Sequence, residues 1–237
     1  MPTIAEPART IVLIGLFAVP LVLISGFFLG EYRPDRTGRI RRAFKLATSL
    51  ILVLCAALVW LSNPRLVDAA PTFFFGMTFG FFGDLIMAGL IRVPNRLIFG
   101  IVAFSLGHIC YIAGFTFVAQ VLGLSSPLAS PVWIGFVIGA AVLWAALVRS
   151  PSVPRALNVG SLIYAGLIGV MAGVAAGLAL QDARFWPTAI GSFLFLLSDV
   201  ILGNCEFRDN PWFLVHDVIW VIYIGGQALI VLTGARV

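Results

Sequence analysis

The residues of this sequence best able to do chemistry are ionisable groups set inside long apolar runs. Asp84, His108 and Asp199 lie deep in such runs, and His216 and Asp217 stand near the start of the last one. An ionisable side chain facing lipid costs several kcal/mol, so each is expected to turn inward to a partner or an aqueous cavity. Two carboxyls facing one low-dielectric cavity do not both ionise readily. One then serves as proton donor while the other orients or deprotonates water, which is acid and base chemistry by a pair of aspartates. His108 and Tyr111 are three residues apart, share a helix face and are placed to orient a carboxyl or the water. Ser198, beside Asp199, and Tyr223 and Gln227 in the last run complete the set of supporting or substrate-binding groups. His216 and Asp217 are near enough to the run's edge to be solvated or to meet a lipid headgroup.

Other chemistries lack their residues. There is no serine elbow, catalytic cysteine motif, H-E-x-x-H or Gly-rich phosphate loop. With two histidines in all, a multi-histidine zinc site is not available, while a mixed Asp/His site stays open. No metal and no cofactor is assigned. Cys55, Cys110 and Cys205 are odd in number, fall in or at the ends of apolar runs and read as packing residues.

The elements that must position these groups follow from composition. Of 237 residues, 61% are apolar and 11% charged, against roughly 45–50% and 25% in a soluble domain, so this is a membrane protein. About 20 apolar residues cross a bilayer as a helix. Runs between charged or Pro-containing breaks place spans near 11–30, 43–62, 71–90, 97–120, 131–148, 159–180, 186–204 and 212–234. The expectation is one all-α domain over 1–237, a polytopic bundle of eight transmembrane helices. The first run is too long for a signal peptide and is followed by a basic cluster, so it is kept as a span. Spans 1, 5 and 6 are chiefly aliphatic, Gly and Phe, and read as scaffold.

Loop charges orient the bundle. Arg33, Arg36, Arg39, Arg41, Arg42, Lys45, Arg92, Arg96, Arg149, Arg155 and Arg208 lie in or beside the odd-numbered loops, against Arg9, Arg65, Arg184 and Arg236 on the other side. This bias puts the odd loops in the cytoplasm and both termini outside, as in a bacterial-type cytoplasmic membrane. The +5 net charge then reflects cytoplasmic loops facing anionic lipid, with no nucleic-acid surface, and the first-loop arginines act as topology signals. Asp84 and Asp199 each lie 13 residues past the start of a span running inward, so both sit roughly 20 Å down at about 1.5 Å per residue.

The sequence resembles the TMEM86/YhhN family of multi-pass membrane proteins, whose characterised members are lysoplasmalogenases. The resemblance rests on Gly83-Asp84, the stretch from Phe99 to Phe115 with His108 and Tyr111, Ser198-Asp199 with Leu202 and Phe207, and the closing Tyr223, Gln227, Leu229 and Ile230. Where the family commonly carries polar and basic residues before that phenylalanine, this chain has Cys205-Glu206. The resemblance implies hydrolysis of the vinyl ether of a lysoplasmenyl-choline or -ethanolamine to a fatty aldehyde and a glycerophospho-headgroup. The partners would be that lysophospholipid and membrane lipid. Two other readings of the aspartate pair remain at this level: an intramembrane aspartyl protease, whose Tyr-Asp and Pro-Ala-Leu motifs are absent, and a small transporter binding protons or cations.

Overall fold

In lipid a chain has no water to satisfy its backbone polar groups, so an apolar run must close its hydrogen bonds within itself and folds as a helix. A computed structural model bears this out; it describes residues 6–63, 66 and 68–236, with side chains described as far as 234. The helices are α1 Glu6–Phe28, α2 Arg42–Ser62, α3 Ala69–Met87, α4 Arg96–Val121, α5 Val132–Leu143, α6 Arg155–Gln181, α7 Trp186–Arg208 and α8 Val215–Arg236. There are no strands among the described residues. Seven of these helices are long and apolar enough to cross a membrane, making this an integral multi-pass membrane protein.

The exception is α5. It continues as a π-helical turn, Trp144–Val148, and the whole apolar segment Val132–Val148 is shorter than the other candidate spans. At about 1.5 Å per residue its 17 residues reach roughly 25 Å, short of the roughly 30 Å hydrocarbon core. Of the eight expected spans, seven are therefore long enough to cross, and the fifth corresponds to this shorter helix. α5 nevertheless packs along α6 in the opposite direction. Gly169, Gly173 and Gly177 of α6 lie against Phe136 and Val137, Trp133 and Pro127 in turn, so the small-residue spacing brings the two backbones close.

Helix ends carry local signals. Asn95 caps α4 by accepting the Ile98 N–H at 3.1 Å. Gly89, past the end of α3, has φ of 73°, and an added Cβ there would also collide with the Arg96 guanidinium. Asp209 ends α7 in the left-handed region at φ 49°. In the α1–α2 loop, Asp35 accepts from the backbone N–H and hydroxyl of Thr37, which holds its carboxyl below the usual carboxylate range.

The connections gather at two ends. Leu214 and His216 donate backbone N–H groups to the carbonyls of Arg36 and Thr37, tying the α1–α2 loop to the start of α8. At the same end Arg208 donates to the carbonyls of Arg149 and Ala145, linking α7 to the end of α5. At the other end Asn63 donates to the Gly234 carbonyl, and Thr188 and Thr233 share a 2.6 Å hydrogen bond. Of the charges used for orientation, Arg65 and the side chain of Arg236 lie outside the described residues. Cys55 and Cys205 are buried, Cys110 is half-buried, and all three are free thiols.

Candidate active site

A cleft between α4, α5, α6 and α7, of about 690 Å³ counted with the space open at its mouth, brings ionisable groups against apolar walls. Leu97, Gly100 and Phe104 of α4, Trp144 and Val148 of the π turn, and Ile168 of α6 make its walls apolar. Asp199, midway along α7, lines it, and Glu206 and Phe207 lie toward the end where the odd loops gather. The π turn widens α5 here, as such turns often do beside functional sites. Trp144, one of the wall residues, donates its indole N–H to Ser161 at 2.9 Å, which fixes the ring.

Asp199 is held by a line of groups from α6 and α4. Tyr164 of α6 donates its hydroxyl to one carboxyl oxygen of Asp199. The Nε2 of His108 lies 3.1 Å from the Tyr164 oxygen, and its Nδ1 lies 3.2 Å from the Met171 sulfur. His108 is fully buried, with its ring edge-on to Phe195 at 4.8 Å. With the phenol proton committed to Asp199, Nε2–H donates to the phenol oxygen; with Asp199 protonated, the line can run the other way, from carboxyl to phenol to Nε2. A proton can thus be held at either end of the line.

Asp84 occupies a second polar chain. It is buried near the end of α3 and accepts hydrogen bonds from Ser49 of α2 and, at 3.1 Å, from Tyr223 of α8. Gln227 donates to Tyr223 at 3.3 Å and accepts from Tyr111 of α4 at 2.6 Å. The helix α3 makes room through Gly76, Gly80 and Gly83, which lie against the Tyr111 ring, the Gln227 amide and the Phe104 ring respectively. A methyl at any of the three would overlap a member of the site.

The two carboxyls do not line one cavity. Phe104 covers Gly83 on one side and lines the cleft on the other, and it meets Tyr223 and Phe195 edge-on. Asp84 therefore stands behind an aromatic layer while Asp199 faces the open space. This corrects the expectation that both aspartates face a single cavity. Among the described residues, no three His, Cys, Asp or Glu side chains meet as metal ligands.

Other sequence-derived sites land elsewhere. Ser198 is buried, and its hydroxyl donates to the Phe195 carbonyl of its own helix at 2.7 Å, so it turns away from the cleft. Asp217 is buried instead of solvated: it pairs with Lys45 at 2.8 Å and accepts the backbone N–H groups of Arg39 and Ile40. His216 is half-buried, and its carbonyl accepts from Lys45 at 2.9 Å. Lys45 thus clamps α2 to α8, and Arg39 of the first loop packs over the rings of Phe27 and Tyr32, so these two cations do more than mark topology. Reading α6 as scaffold missed Tyr164, and Ser49 was missed in α2. The available signal was the tyrosine count: of four, three lie inside apolar runs, where a phenol needs a partner.

Compared with known proteins, residues 40–234 match the family model described as the YhhN family. No curated protein and no solved structure matches the chain.

Proposed function

The chain belongs to the YhhN family, and from that premise we propose that it is a lysoplasmalogenase-like hydrolase acting on the vinyl ether of a lysoplasmenyl lipid. The observation that carries the reading is the carboxyl of Asp199 in a mostly apolar cleft, roughly 10 Å along α7 from the acidic Glu206 at about 1.5 Å per residue. A one-chain lipid with its headgroup near Glu206 brings the ether bond to the level of Asp199. Seating a membrane lipid this way also takes α5 as an eighth span, with the cleft opening toward the cytoplasmic end.

The chemistry then follows. Asp199 gives its proton to the β-carbon of the vinyl ether, leaving a carboxylate and an oxocarbenium ion. Water adds to that cation and returns a proton to Asp199, forming a hemiacetal. Collapse of the hemiacetal moves its hydroxyl proton to the departing glycerol oxygen and releases the aldehyde. Tyr164 and His108 orient the Asp199 carboxyl, so that its free oxygen points at the substrate. Asp84, accepting from Ser49 and Tyr223 behind Phe104, fixes the polar chain that backs this wall of the cleft. Phe104 presents its ring to the same region, where a cation is attracted to it.

Purified protein incubated with lysoplasmenylethanolamine should release fatty aldehyde, while the saturated 1-O-alkyl analogue should yield none. Absence of aldehyde from a monodisperse preparation overturns the reading. Proton or cation flux without product would replace it with a transporter.

A further inference from the structure

A second groove, of about 700 Å³, lies along the seam between α5 and α7 and is bounded by apolar side chains and glycines. Its boundary includes Gly135, Gly139 and Leu143 of α5 and Phe193 of α7, and it shares Ala140 and Leu196 with the cleft that holds Asp199. The two spaces therefore adjoin, with that buried pair as the wall between them. From that pair the cleft runs toward Glu206 and the groove runs the opposite way, toward Val132. Gly135 and Gly139 are exposed, and a Cβ at either would meet nothing within 4 Å.

We propose that this seam is the subsite for the hydrocarbon chain of the substrate, an inference that rests on the lysolipid reading of the cleft. The lengths agree. Asp199 stands about one turn from Leu196, and the groove continues from Ala140 to Val132, together roughly 16 Å at about 1.5 Å per residue. That is close to half of the roughly 30 Å hydrocarbon core, the depth a single chain reaches within one leaflet. A headgroup near Glu206, an ether bond at Asp199 and a chain past Leu196 place an amphiphile along the membrane normal, as it already lies in the bilayer. The subsite opens sideways to lipid, so a chain can slide in without leaving the hydrocarbon layer.

The test uses binding, which does not depend on turnover. Full-length protein in nanodiscs is titrated with non-hydrolysable 1-O-alkyl lysophosphoethanolamine bearing an octyl or a hexadecyl chain, and tryptophan fluorescence, including that of Trp144 in the cleft wall, is followed. Gly139→Leu puts a branched side chain into the groove from a position where its Cβ meets nothing within 4 Å. It should weaken the hexadecyl ligand roughly tenfold, the size of one overpacked contact, and, standing one residue into the groove, should weaken the octyl ligand as well. Gly135→Leu, five residues in, should weaken the hexadecyl ligand alike and shift the octyl ligand far less, and Gly225→Leu on α8, where a Cβ also meets nothing within 4 Å, should bind both ligands as the unaltered protein does. Equal effects on both chain lengths in Gly135→Leu, or the same loss in Gly225→Leu, overturn the proposal. So would a change of oligomeric size in Gly139→Leu with both ligands bound normally, which would assign the groove to a second copy. Chain-length-dependent binding without any aldehyde release would leave the subsite standing and remove the hydrolase reading.

Discussion

A group that protonates carbon must be close to it, must carry a proton and must be shielded from bulk water, and Asp199 is the carboxyl of this site with that placement. Asp199→Asn keeps the shape and can still accept from Tyr164, but an amide cannot protonate carbon. Aldehyde release per mole of folded protein should fall by roughly 10²-fold to 10⁴-fold. Asp84→Asn should cost less, about tenfold, because Asp84 stands behind Phe104 and acts through the hydroxyls it holds, and the double mutant should be little worse than Asp199→Asn. Near-normal turnover in Asp199→Asn would sink the mechanism, whereas poor expression with turnover per molecule preserved would make both aspartates structural. His108→Ala and Tyr164→Phe should each reduce turnover by less than Asp199→Asn, since they position the carboxyl without touching the reacting atoms. A loss in His108→Ala equal to that in Asp199→Asn would give the histidine a primary role. These three ionisable residues were legible in the sequence because charge inside an apolar run is costly and rare. Tyr164 and Ser49 were not, because a neutral hydroxyl costs far less to bury than a charge and hydroxyls are scattered through every span but the fifth. Ser198 was misread because adjacency in sequence rotates a side chain about a hundred degrees around a helix.

At the scale of elements, the start of α8 is fastened to α2 and the first loop by one buried ion pair. The side chains of Lys45 and Asp217 are only 8% and 6% exposed, and Asp217 also gathers two backbone N–H groups. Removing one partner strands the other, so Asp217→Leu should lower stability by about 3–5 kcal/mol. Lys45→Met should be milder, because Asp217 keeps its two backbone donors. Thermal unfolding in detergent checks the order, and an Asp217→Leu protein as stable as the unaltered one would show that the clamp contributes nothing. The sequence displayed both residues but not their pairing, since they are 172 positions apart and each alone looks like an interfacial charge. The span boundaries were more legible, because an apolar run and the helix it forms end at the same charged and Pro- or Gly-containing breaks. The cleft's π turn left no such mark, since Trp144–Val148 is as apolar as the helix before it.

For the whole molecule, the open question of sidedness turns on α5, the shortest apolar helix. If α5 crosses the bilayer, there are eight spans and both termini share a side. If it stays within one leaflet, there are seven, the termini part, and the charge bias of every later loop inverts. Positive residues favour the first arrangement, because Arg149 and Arg155 flank the α5–α6 loop at the same end as Arg33 to Arg42 and Arg208. Single cysteines can separate the two. With Cys110 replaced by Ser, Ser126→Cys in the α4–α5 connection should react with a membrane-impermeant maleimide on intact cells, whereas Ser152→Cys in the α5–α6 loop should react only after permeabilisation. Cys55 and Cys205 are buried and should contribute little background. Labelling of both loops from outside would show that α5 turns back, and labelling of Ser152→Cys alone would invert the molecule. Either result would also move the mouth of the cleft, because Glu206 and the end of α5 lie at the same end of the bundle, and with it the leaflet from which a one-chain lipid enters.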